Sequence, residues 1–161
     1  MKQNFYERIG ESVYEETLPN GLKIFVVPKP GYTKKYAFFA TRYGGMDTRF
    51  QLDGAWLDTP AGIAHYLEHK LFDMPDGRDV SAEFAALGAI TNAFTSYDMT
   101  AYYFSCTENF EKCLNLLLEF VSTPFFTEES VEKEQGIIGQ EIDMNEDAPD
   151  TKVFELLMQA M

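Results

Sequence analysis

Histidine is almost missing from this chain. Two occur in 161 residues, His65 and His69, and they lie four apart. Cysteine is as scarce. Cys106 and Cys113 are the only two, which excludes a disulfide framework and leaves buried thiols as the simplest reading. Basic residues number 13 against 26 acidic ones, a net charge of −13, so nucleic acid is excluded as a natural partner. No apolar run reaches the length of a bilayer span, so no membrane partner is expected. The start, Met1-Lys2-Gln3-Asn4-Phe5-Tyr6-Glu7, lacks the apolar core of a signal peptide. These absences point to a cytoplasmic location. What is plentiful is apolar surface: hydrophobic residues make up 45% and aromatic residues 15%. That excludes disorder and suits one domain with a real core.

The two histidines organise the rest. His65-Tyr66-Leu67-Glu68-His69 puts a carboxylate directly before the second imidazole. The preceding Thr59-Pro60 reads as a helix start, with Thr59 as N-cap and Pro60 at the first helical position. Four residues advance about 400° on a helix, so the imidazoles fall one turn apart on one face. Glu68 lies about 60° to the other side of His65. Ile63, Ala64, Leu67 and Leu71 form the opposite, apolar face. A helix of this kind packs by one side and shows two ligands and a carboxylate by the other.

Zinc suits that display. Neutral imidazoles at this spacing can share one Zn²⁺, and a catalytic site adds a third protein ligand while keeping a position for water. A carboxylate beside the metal can take a proton from that water and hand it to a leaving amine. Glu68 is placed for that role. His-x-x-Glu-His is an inverted zinc-peptidase motif with this chemistry, whereas the plainer reading is an amphipathic helix with two surface histidines.

Along the chain, residues 12–18 and 22–27 read as a hairpin around Pro19-Asn20-Gly21. Residues 36–43 are apolar on both faces and read as an interior strand. Residues 46–58 read as a polar connection. After the histidine helix, residues 79–87 form a short helix stopped by Gly88. Residues 89–96 and 99–105 form a second hairpin turning at Tyr97-Asp98. Thr107 is expected to cap a helix whose buried face holds Phe110, Leu114, Leu117, Leu118 and Val121, and Pro124 breaks it. Thr127 caps a long helix to about Asn145, with Glu128 and Glu129 in its first turn. A further helix begins at Thr151.

A third metal ligand must come from elsewhere than histidine. The cysteines are candidates, and so are Glu134 and Glu141, seven apart and nearly in line after two turns. Spacing alone does not choose among them. Nine acidic residues crowd residues 128–150 beside a single lysine, so any one of these carboxylates could be ordinary solvated surface.

Several segments carry a family likeness: Leu18-Pro19-Asn20-Gly21-Leu22, Gly44-Gly45-Met46-Asp47 and Gly62 to Phe72 around the histidines. Gly88 to Ser96, Thr100-Ala101-Tyr102 and Glu132 to Ile142 continue it. With them the chain resembles the pitrilysin, insulinase and mitochondrial-processing-peptidase family of zinc metallopeptidases, and most nearly the small bacterial branch that occurs as paired paralogues. The resemblance runs from about Tyr14 to Met161. It implies an α+β fold, a mixed, largely antiparallel sheet with helices packed on one face, as in the processing-peptidase-like metallohydrolases. It implies that Glu141 is the third zinc ligand beside His65 and His69, that Glu68 is the catalytic base, and that Glu134 orients the site. It implies that the strand holding Asn92, Ala93, Phe94 and Thr95 is an edge strand that takes an extended peptide.

Members of that family also carry a second, similar half, which nothing in this chain supplies. Residues 1–161 are therefore expected to be part of an N-terminal catalytic domain, incomplete at its C-terminal end. The expected partners are a peptide substrate and a second homologous half or paired paralogue, and a homo-oligomer is compatible. Such a chain by itself should be weakly active or inactive. Two other readings are a non-catalytic, peptide-binding partner subunit and a small-molecule lyase with a cysteine as third ligand. The intact motif disfavours the first. The lack of a Gly-Cys loop around Cys106 or Cys113 disfavours the second.

Overall fold

A computed structural model describes residues 1–161. It divides into two compact units, Met1–Thr33 and Lys34–Met161. The first is an antiparallel sheet of β1 (Lys2–Tyr6), β2 (Glu11–Thr17) and β3 (Lys23–Val26), with β2 in the centre. The β2–β3 hairpin is the expected one. Its turn is closed by Gly21 at φ 86 and by the Asn20 carboxamide, which accepts from Leu22 N–H. β1 was not expected, because its polar sequence carries no alternation. It pairs with β2 from Lys2↔Glu15 to Tyr6↔Glu11.

The second unit holds β4 (Lys35–Thr41), β5 (Arg49–Leu52), β6 (Ala55–Asp58), α1 (Ile63–Lys70) and α2 (Val80–Ala86). Next come β7 (Ile90–Thr95), β8 (Thr100–Cys106), α3 (Phe110–Val121), α4 (Glu128–Glu146) and α5 (Pro149–Ala160). The strands of β4, β8 and β7 form an antiparallel sheet with β8 in the middle. Helices cover one of its faces. Tyr102, Phe104 and Cys106 of β8 point into that layer and pack with Phe84, Cys113, Leu117 and Phe120. Rings meet there directly, with Phe84 and Phe104 centroids 5.6 Å apart and Phe72 and Phe120 5.1 Å apart.

The α+β architecture and one-sided helix layer match the expectation, although the strands form three separate sheets and not one. Four local readings need correction. β4 is an edge strand of its sheet, not an interior one. Its Tyr36 and Phe38 are exposed, and only Ala37 and Phe39 reach the core. The polar connection contains the β5–β6 hairpin, whose Asp53-Gly54 turn has positive φ at both residues, as a two-residue hairpin loop requires. The histidine helix starts at Gly62, φ 88, not at Thr59-Pro60. α3 is capped at Asn109, not Thr107, and its buried stripe is Cys113, Leu116, Leu117 and Phe120, leaving Leu118 exposed.

Two features fix the site's frame. Thr127 and Ser130 close a reciprocal capping box that starts α4 where expected. Gly44 lies against the β7–β8 turn so closely that a Cβ would stand 2.5–2.6 Å from backbone atoms of Ser96, Asp98 and Met99. Only glycine fits there. Gly45 and Met46 N–H then bond Ser96 and Tyr97 carbonyls at 2.8 and 2.9 Å, pinning the end of the β7 hairpin. No helix is long and apolar enough to cross a membrane.

Candidate metal centre

α1 buries Ala64 and turns His65 and His69 outward. Their rings stand edge to face, centroids 4.8 Å apart. α4 brings the acidic groups. Glu141 Oε2 lies 3.7 Å from His65 Nε2 and 3.5 Å from His69 Nε2. One ligand atom from each of the three residues falls within 4.8 Å of the others. Ligands about 2.0–2.1 Å from a tetrahedral zinc stand about 3.4 Å apart, and two imidazoles with one carboxylate are a common catalytic set. The three residues therefore fit a zinc ion and leave a fourth position free.

Glu134 does something else. Its Oε1 is 2.7 Å from His69 Nδ1. An ionised carboxylate can only accept, so Nδ1 carries the proton and Nε2 keeps its lone pair for the centre. The two glutamates that spacing could not separate are thus separated by their partners. Glu134 faces the back of one imidazole, and Glu141 faces the front of both. Exposure follows the same division: the Glu134 side chain is 13% exposed and that of Glu141 42%.

Glu68 is 9% exposed. Its Oε2 accepts from the Thr95 hydroxyl at 2.6 Å. Thr95 Oγ1 is also 3.3 Å from Thr100 Oγ1, which donates to the Tyr43 carbonyl at 2.8 Å. A run of hydroxyls therefore ties the carboxylate to the sheet. Beneath it, Tyr102 Oη reaches the Leu67 and Glu68 carbonyls of α1, both at 3.4 Å. Burial, and secondarily the charge of Glu68, pushes the Tyr102 phenol well above its ordinary pKa. It stays a neutral donor.

The expected substrate residues sit together on β7, which is an edge of its sheet. The pleat divides them. Ala93 and Thr95 turn toward the helices, while Asn92 and Phe94 turn to the open face, where Phe94 meets Tyr103 at 6.3 Å. Asn92 Oδ1 accepts from the Ala93 N–H at 2.8 Å. That amide therefore points away from β8 and is held by a side chain on an otherwise unpaired edge. Sequence reasoning missed the Thr95–Glu68 bond, because no local pattern marks a hydroxyl 27 residues from its partner. It also missed that Lys70 is fully buried. A lysine right after two ligands on a short helix was the available signal.

The insulinase family model, peptidase family M16, matches residues 54–161. The chain belongs to that family. It is 51% identical over 151 residues to YmfH of Bacillus subtilis, described as an uncharacterized zinc protease, covering 92% of this chain and 35% of the relative. An M16-like crystal structure from Alicyclobacillus acidocaldarius superposes with a TM-score of 0.88 at 47% identity, covering 94% of this chain and 36% of that one. A protease from Helicobacter pylori shares the fold, with a TM-score of 0.73 at 23% identity over 88% of this chain and 33% of its own. This insulinase-family chain spans about a third of the length of the relatives it matches.

Proposed function

We propose that this chain carries the zinc centre of a metallopeptidase that hydrolyses peptides or short polypeptides. One observation carries the reading: His65 and His69 from α1 and Glu141 from α4 converge on one point at ligand spacing. Zinc held there by His65, His69 and Glu141 supplies Lewis-acid chemistry, polarising a peptide carbonyl and acidifying water near neutral pH. The zinc-protease relatives support the choice of metal.

The chain's own residues supply the rest. Glu68 takes the proton from the attacking water and delivers it to the leaving amine. The Thr95 hydroxyl, donating to Oε2, holds that carboxylate in one orientation. Glu134 fixes the His69 ring through Nδ1. The peptide lies extended along β7 by strand addition. Its carbonyl takes the Ala93 N–H from Asn92, and the freed Asn92 carboxamide bonds the peptide backbone. Ala93, Phe94 and Thr95 complete that edge.

Efficient turnover in this reading requires a second homologous half or a paired paralogue to close the site against water. The cellular location we propose is the cytoplasm, in keeping with two free, buried thiols. The test is Glu68→Gln in the complete enzyme. Zinc should stay bound while turnover falls about 10²–10⁴-fold. Near-parental turnover would remove Glu68 from the chemistry, whereas a parent enzyme that binds peptide without hydrolysing it would make a non-catalytic, peptide-binding subunit the better reading.

A further inference from the structure

α4 carries Glu134 and Glu141, yet none of its residues is buried. Its apolar residues Val131 and Ile138 are only half-buried, so apolar packing alone gives its register on α1 a weak hold. Polar contacts between the two helices run in order. The Tyr66 hydroxyl donates to the Val131 carbonyl at 3.1 Å. Glu134 meets His69 and Glu141 meets both imidazoles. At the start of α4 stands Lys70, the last residue of α1, with no exposed surface at all.

Lys70 Nζ pairs with Asp73, donates to Ser130 Oγ at 2.8 Å, and lies 5.9 Å from the centre of the Phe126 ring. Ser130 is already in use. Its hydroxyl donates to the Thr127 carbonyl at 3.0 Å and accepts the Thr127 N–H at 3.1 Å. A hydroxyl offers one proton and two lone pairs, and Lys70 takes the last lone pair. Burying a lysine is costly, and the favourable place of its charge at the C-terminal end of α1 is offset by its unfavourable place at the N-terminus of α4. Stability alone gives little reason for a lysine here. Position gives one. Glu134 follows Ser130 by four residues and Glu141 by eleven, about 40° and 20° off its line, so all three share one face of α4.

We propose that Lys70 is a positioning residue for the metal centre. It locks the α4 register at Ser130, and that register delivers Glu134 to His69 and Glu141 to the imidazole pair. The inference rests on the reading that His65, His69 and Glu141 hold zinc.

The experiment compares zinc affinity, by chelator competition, in the parent protein and in Lys70→Met, Ser130→Ala and Thr127→Ala. Circular dichroism fixes a temperature at which each is folded. Lys70→Met keeps the apolar stem and removes the donors. It should weaken zinc about 10–100-fold, the usual cost of losing a partner that orients a ligand. It should also change the visible absorption of the Co²⁺-substituted protein. Ser130→Ala should weaken zinc similarly. Thr127→Ala breaks the helix cap but spares the lysine contact, and should weaken zinc much less. Should Lys70→Met fail to fold, the Ser130→Ala and Thr127→Ala pair decides: equal losses make the contact a helix cap and overturn the inference. Parental affinity in folded Lys70→Met also overturns it. A parent protein that binds no zinc overturns instead the reading beneath it.

Discussion

α3 and α4 are neighbours in sequence and are held in opposite ways. α3 buries Cys113, Leu116, Leu117 and Phe120 against the sheet. α4 has no fully buried residue and is seated by directed hydrogen bonds to α1. Apolar burial is strong but non-directional, so it stabilises α3 without demanding one register to a fraction of an ångström. Hydrogen bonds contribute about 0.5–1.5 kcal/mol each net, but they fix distance and angle. The chain thus uses area where it needs a scaffold and geometry where it needs ligands. Substitutions in the two helices should fail differently, one kind in stability and the other in metal binding.

The largest effect belongs to α3. Phe120 is fully buried and its ring meets Phe72, Phe84 and Tyr102. Phe120→Ala should cost about 3–5 kcal/mol of stability, read from denaturant unfolding, while the fraction still folded binds zinc as the parent does. A loss below about 1 kcal/mol would mean α3 is not the scaffold described. On α4 the order inverts. Glu134→Gln should weaken zinc about 10–100-fold with little change in the unfolding midpoint, because no apolar surface is lost. Glu141→Gln should weaken it further. Parental affinity in Glu141→Gln beside a clear loss in Glu134→Gln would exchange their roles.

The same contrast explains what could be read from sequence. α4 was legible at both ends, since Thr127, the acidic first turn and Pro149 are local signals of helix start and stop. The His65–Glu68–His69 display was legible because a helical period is fixed. The start of α1 was not, because Thr59-Pro60 imitates a cap while Gly62 makes the turn. β4 looked interior because its apolar residues run without a break. Tyr36 and Phe38 are nevertheless exposed, and a run of apolar residues does not say which face is covered. The polar stretch 46–58 hid a hairpin whose Asp53-Gly54 signal was outweighed by composition. What stayed out of reach was every contact between distant elements. Thr95 to Glu68, Tyr66 to Val131 and Lys70 to Ser130 depend on how helices lie, which no spacing encodes. The choice between Glu134 and Glu141 belongs with these, because seven residues put both on one face.

The smallest effect lies where scaffold and site meet. Tyr102 packs its ring on Phe72 and Phe120, centroids 6.0 and 5.6 Å away, and sends its hydroxyl to the Leu67 and Glu68 carbonyls of the ligand helix. Burial first, and the Glu68 carboxylate second, raise its pKa in the folded state. An unfolded tyrosine titrates near pH 10. Below about pH 10 both states hold the proton, and Tyr102 contributes its full stabilisation. Above it the unfolded chain releases a proton that the folded chain keeps, so stability falls as pH rises toward the folded value. Tyr102→Phe removes this term along with a hydrogen-bond donor. At neutral pH the variant should be less stable by about 0.5–1.5 kcal/mol. Past about pH 10 the gap should narrow, because only the parent has a Tyr102 proton to lose. The measurement is the thermal midpoint of both proteins from neutral pH into that alkaline range. A gap that stays constant would show that the Tyr102 phenol titrates alike in both states, and that the ligand helix rests on the core by ring packing alone.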